Sequence, residues 1–227
     1  LVSLPYIEPY GSMKFYLAQV IFMPIIFLAP IFLYWKFVRK ETTPPVRFFP
    51  DYSSKKSFVI KGLVFGIILT IAVFILHFIR SYAIFNSGLF GEIKLEFEFG
   101  FLDTESWSHY LVMALTNLFI VAIVEEFVFR GFFQNQFEKV LPKWQSLALA
   151  SILFGLIHLP IAIFVYEMEG YWLVYSLIEW IGMGVIFGYA YQISRNIWVC
   201  VFWHGLYNVL IGTFNWRVVE NEKVPSE

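Results

Sequence analysis

Six runs of apolar residues, each close to the twenty or so that a helix needs to cross a hydrocarbon core of about 30 Å, dominate this 227-residue chain. They fall at 15–38, 58–79, 110–130, 144–166, 171–193 and 197–214. Lipid offers no hydrogen-bond partners to bare backbone, so spans of this kind are restricted to helices and closed barrels, and runs this long are helices. Composition agrees: 59 % of the residues are apolar and 15 % charged, against about a quarter charged in soluble domains. The sequence predicts an all-α, polytopic membrane protein with about six transmembrane helices. A net charge of −1 gives no general pull towards nucleic acid, so the expected partner is the lipid bilayer. The single cysteine, Cys200, excludes an intrachain disulfide and any site built from several thiolates.

The first run contains Pro24 and Pro30, which a membrane helix tolerates as kinks, and ends at Lys36, Arg39 and Lys40 without a small-residue cleavage site. It is expected to be a retained helix, not a signal peptide. Residues 1–12 are expected to be an extension with no assigned role. The segment 39–57, with Thr42-Thr-Pro-Pro45, is the one linker-like piece, and Glu92–Phe99 alternates polar with apolar residues as a surface strand or interfacial ribbon would. Three regions follow: 1–107 with two helices and their loops, 108–214 as a core of four helices, and 215–227 as a polar tail. Eleven of the sixteen Lys and Arg residues lie on the side of loop 36–61 and five on the other. Basic loops favour the cytoplasm, so both termini are expected outside it, in what is expected to be the cell membrane. Trp107, Trp144, Trp198 and Trp216 read as interfacial belts. His77 and His109 lie near helix ends without polar companions at helical spacing and read as interfacial or structural.

Charged groups inside a span are costly and mark function by default. Here they cluster. The third run holds Glu125-Glu126-Phe-Val-Phe-Arg130, the fourth Phe154-Gly-Leu-Ile-His158, and the sixth His204-Gly-Leu-Tyr-Asn208. Glu126 and Arg130 are four apart and share a helix face, where they can neutralise each other; Glu125 lies about 140° round from Arg130 and stays free for other work. His204 and Asn208, also four apart, aim an imidazole and a carboxamide into one space. A carboxylate able to take a proton from water, with donors able to hold an oxyanion, is what hydrolysis of a carbonyl compound requires. Each feature alone has a plain structural reading, as an ion pair or an interhelical hydrogen bond. The conjunction of three such sites does not.

Glu-Glu-x-x-x-Arg, Phe-x-x-x-His and His-x-x-x-Asn in this order resemble the motif set of the CPBP family, which includes the CAAX prenyl endopeptidases and bacteriocin-processing membrane proteases. The resemblance covers roughly 108–214 and implies an intramembrane peptide hydrolase. Carried over, it implies that Glu125 activates water, Glu126 and Arg130 support it, His158 positions or polarises the water, and His204 and Asn208 hold the oxyanion. It also implies a peptide or protein substrate, prenylated or membrane-anchored, and an active site opening to the cytoplasmic side. The family has been described both as metalloproteases and as metal-independent glutamate proteases. Glu125, His158 and His204 would supply a His₂Glu zinc site, but Asn208 suits an oxyanion donor and is a poor zinc ligand, so the expectation here is metal-independent chemistry.

Outside the motifs, Glu179 lies mid-membrane in the fifth run, where Gly184 and Gly188 offer a small-residue face for close packing. It is expected to face the polar cavity, the alternative being a local hydrogen bond to Tyr175 or the backbone. Two rival readings stand beside the protease: a non-catalytic immunity or scaffold protein of the same fold, and a transporter moving protons or a metal ion through the same groups. No internal symmetry of the kind transporters carry is visible in the sequence.

Overall fold

A computed structural model describes residues 13–39, 56–86, 93–99 and 107–220. The N-terminal extension and most of the linker-like segment lie outside them. Helix α1 spans Met13–Tyr34, with both prolines inside it, and continues as a π-helical turn over Trp35–Arg39. Helix α2 is Lys56–Asn86, strand β1 is Ile93–Phe99 and helix α3 is Trp107–Phe137. Helices α4, Lys143–Leu156, and α5, Leu159–Phe164, form one broken span, followed by α6, Gly170–Ser194, and α7, Ile197–Thr213. Strand β2, Phe214–Glu220, closes the described chain.

Six apolar helical spans therefore stand where the sequence places six runs. Four are long and apolar enough by themselves to cross a membrane: those beginning at Met13, Trp107, Lys143 and Leu173. The 17 residues of α7 rise only roughly 25 Å. Helix α2 is 31 residues long, and among the described residues its apolar stretch covers Val59–Ile75.

Two boundaries differ from the sequence expectation for physical reasons. Helix α3 continues past Arg130 to Phe137. Its polar residues beyond Gly131 are paired sideways: Gln134 donates to the Gly188 carbonyl at 3.2 Å, and Asn135 and the Tyr191 hydroxyl bond each other at 2.8 and 3.0 Å. The fourth span, by contrast, is interrupted. Pro160 has no N–H to continue the ladder, so the chain turns at Ile157-His158 and restarts with the proline in the first turn of α5, where its missing donor costs nothing.

The residues beyond 214 are not simply a polar tail. Strand β2 pairs antiparallel with β1, from Ile93 opposite Glu220 to Phe99 opposite Phe214. The alternation at 93–99 thus belongs to a two-stranded ribbon whose other strand comes from after the last helix.

Helix α6 packs along α4 and also meets α2 and α7. Small residues permit this. A Cβ on Gly184 would lie 2.9 Å from the Ser151 Cα, so no larger residue fits without moving α4. On α2, a Cβ at Gly66 would overlap the Trp203 indole of α7. The apolar core these contacts enclose centres on Phe127, Phe129, Phe154, Phe187, Cys200 and Trp203.

Candidate active site

The polar groups named by the motifs are carried into this core by three helices. In α3 a short α-helical stretch, Ala122–Glu126, lies between π-helical turns at Asn117–Val121 and Phe127–Gln134. Wide turns of this kind are frequent at functional sites. Glu125 and Glu126 are both buried, as are Arg130 and His204.

Glu126 is engaged through one oxygen, its Oε2 being buried without a hydrogen-bond partner. Its Oε1 accepts from Arg130 Nη1 at 2.9 Å and lies 2.8 Å from His204 Nδ1. Arg130 also donates to the Gly184 carbonyl at 2.8 Å and lies over the Phe154 ring at 4.7 Å. A guanidinium held by a carboxylate, a carbonyl and an aromatic face has both its charge and its geometry fixed.

Glu125 differs in what faces it. Its Oε2 is likewise buried and has no hydrogen-bond partner. It faces His204 Nε2 at 3.6 Å and His158 Nε2 at 3.8 Å, beyond hydrogen-bond length in both cases. The tautomers follow from the other ring nitrogens. His158 Nδ1 is 2.7 Å from the Phe154 carbonyl, which can only accept, so Nδ1 carries the hydrogen. His204 Nδ1 likewise donates to the Glu126 carboxylate. In the neutral rings both Nε2 atoms then bear lone pairs, as Glu125 Oε2 does. Three acceptors converging on one point call for a donor such as water, or a cation, between them.

The rings are held by stacking. Trp180 of α6 lies parallel to His158, centroids 5.0 Å apart, and Phe187 parallel to His204 at 4.8 Å; Phe154 touches both imidazoles. No motif singles out Trp180 or Phe187. The available signal for Trp180 was its position four residues before Gly184, on the face that meets α4.

Asn208, one turn after His204, is half-buried. Glu179 Oε1 accepts from the Tyr207 hydroxyl of α7 at 2.9 Å. His109 contacts the Tyr16 ring edge-on, and the side chain of His77 lies outside the described residues.

Two imidazole nitrogens and a carboxylate oxygen are the donor types of a catalytic zinc site, and an Nδ1–H donated to a carbonyl or carboxylate is what zinc-bound histidines commonly show. As arranged, no group of three His, Cys, Asp or Glu side chains among the described residues is gathered closely enough to hold a metal ion.

The family model described as Type II CAAX prenyl endopeptidase Rce1-like matches residues 107–210, the stretch that carries every one of these groups. No curated protein and no solved structure matches the chain.

Proposed function

We propose that this chain, whose 107–210 core matches the Rce1-like family model and carries the CPBP motif set, is an endopeptidase that hydrolyses a peptide bond at or within the membrane. The family is a protease family, and the observation that carries the reading is the unpartnered Glu125 Oε2 facing two imidazole Nε2 atoms at 3.6 and 3.8 Å.

Glu125 takes a proton from a water that His158 Nε2 orients as acceptor. The water oxygen attacks the scissile carbonyl, a C–O bond forms, and the carbonyl electrons pass to oxygen. The Asn208 carboxamide donates to that oxyanion, with His204 beside it. Glu125 then returns its proton to the departing nitrogen as the C–N bond breaks. Glu126 and Arg130 hold His204 in its tautomer throughout. The chemistry needs no metal. A zinc ion, if bound, would lie between Glu125, His158 and His204 and supply Lewis acidity to the same water.

The site opens towards the cytoplasm in this proposal. The α3–α4 turn and the α6–α7 turn lie together, joined by Arg195 Nη1 and Glu138 Oε2 at 2.7 Å, and both carry basic residues. A substrate tethered to that leaflet, such as a prenylated or membrane-anchored tail, would bring its peptide bond to this depth.

The deciding experiment compares cleaved termini in cells expressing wild type with those expressing Glu125→Gln. Products seen with the first and absent with the second support the protease. Identical termini would leave the immunity or scaffold reading.

A further inference from the structure

We infer that Glu179 is a positioning residue for this hydrolysis, acting through the Tyr207 hydroxyl; the inference rests on the protease reading above. A carboxylate in the middle of a membrane span is costly even on lenient scales, so its presence calls for an interior task. Glu179 lies within the Leu173–Ser194 span. Its Oε1 accepts from Tyr207 of α7 at 2.9 Å.

The neighbours of this pair give the bond its meaning. Tyr207 directly precedes Asn208 and follows His204 by three residues, so its turn of α7 bears both groups assigned to the oxyanion. Glu179 directly precedes Trp180, the plate stacked on His158. Tyr207 also packs edge-on against Phe187, whose face lies on His204. One hydrogen bond therefore ties the turn that carries the oxyanion donor Asn208 to the turn that fixes the water-orienting imidazole. Apolar packing between α6 and α7 resists separation well but rotation poorly, because side chains of similar shape can trade places at little cost. A directional bond resists rotation. Without it α7 remains tied to α3 through the His204–Glu126 bond but loses this tie to α6, and the Asn208 carboxamide shifts from the line to the reacting carbonyl.

This role requires an acceptor on α6, not a charge. Glu179→Gln keeps the acceptor, Glu179→Leu removes it, and Tyr207→Phe removes the donor while keeping the ring and its packing. The full chain in lipid vesicles is assayed for kcat, KM and thermal midpoint. Tyr207→Phe and Glu179→Leu are expected to lower kcat by about tenfold or more, the scale on which small misplacements act, with KM little changed. Glu179→Gln should retain most of the wild-type kcat, and the double variant Glu179→Leu/Tyr207→Phe should be no worse than the poorer single one. A lowered thermal midpoint with wild-type kcat would reduce the pair to a structural tie and overturn the proposal. So would Glu179→Gln failing as badly as Glu179→Leu, since charge would then be what matters. Glu125→Gln, run in parallel, separates the two levels: if it is inert while Tyr207→Phe is fully active, the positioning role alone falls, and if it is active, the protease reading falls with it.

Discussion

The oxygen of Glu126 that lies 2.8 Å from His204 Nδ1 is the same oxygen that accepts from Arg130 at 2.9 Å. Two adjacent glutamates thus have different duties, because a helix turns them about 100° apart. Glu126 is neutralised by Arg130 and holds an imidazole through Oε1, whereas the buried Oε2 of Glu125 faces two imidazole Nε2 atoms.

Glu125→Gln keeps volume and polarity but removes the base. Turnover is expected to fall by roughly 10²–10⁴-fold, the usual share of general-base catalysis, with the thermal midpoint of the detergent-solubilised protein unchanged. Wild-type turnover in the variant would show that the base lies elsewhere.

Arg130→Ala should act on folding as well as on rate. Arg130 is buried against Glu126, the Gly184 carbonyl and Phe154, so its loss strands a buried carboxylate beside His204. Removing one partner of such a pair costs about 3–5 kcal/mol. A thermal melt showing no destabilisation would contradict the buried pair.

Gly184→Ala places a methyl 2.9 Å from the Ser151 Cα and displaces the carbonyl that receives Arg130. Overpacking of this kind typically costs about 1–3 kcal/mol, and activity should drop with it. Gly182→Ala is the control, since a Cβ there meets nothing within 4 Å. Equal behaviour of the two variants in melts and assays would rule out the close approach of α4 and α6.

Dialysis against a strong chelator is expected to leave activity intact. Stoichiometric zinc whose removal and return track activity would assign Glu125, His158 and His204 as its ligands instead.

Topology is tested with Val140→Cys in a Cys200→Ser background. Val140 is 79 % exposed in the α3–α4 turn, whereas Arg195 is unsuitable because it holds Glu138. Impermeant thiol reagents should reach the new cysteine from the cytoplasmic side. Labelling only from outside inverts the orientation and removes cytosolic tails as substrates.

The spans, their order and the convergence of Glu125, His158 and His204 were legible because helical periodicity and the cost of charge in lipid both act locally along the sequence. The depth of His158 was not. Counted along an unbroken helix from Trp144 it lies about 21 Å in, against about 10 Å for His204 from Ile197, yet both rings meet the same oxygen. The partner of Glu179 was also hidden, since Tyr207 sits on another helix and nothing in the α6 sequence points to it. The ribbon was half legible: β1 alternates visibly, but its pairing with β2 joins segments from far apart in the chain.

Ribosomal synthesis delivers these parts in a fixed order. The glutamates of α3 enter the membrane before α7, which carries His204 and Asn208, and β2 can join β1 only after α7. A chain caught during insertion therefore holds a carboxylate without its imidazole or its oxyanion donor. On the protease reading proposed above, hydrolytic competence waits for α7, so a chain caught before that step is harmless to the proteins being inserted around it.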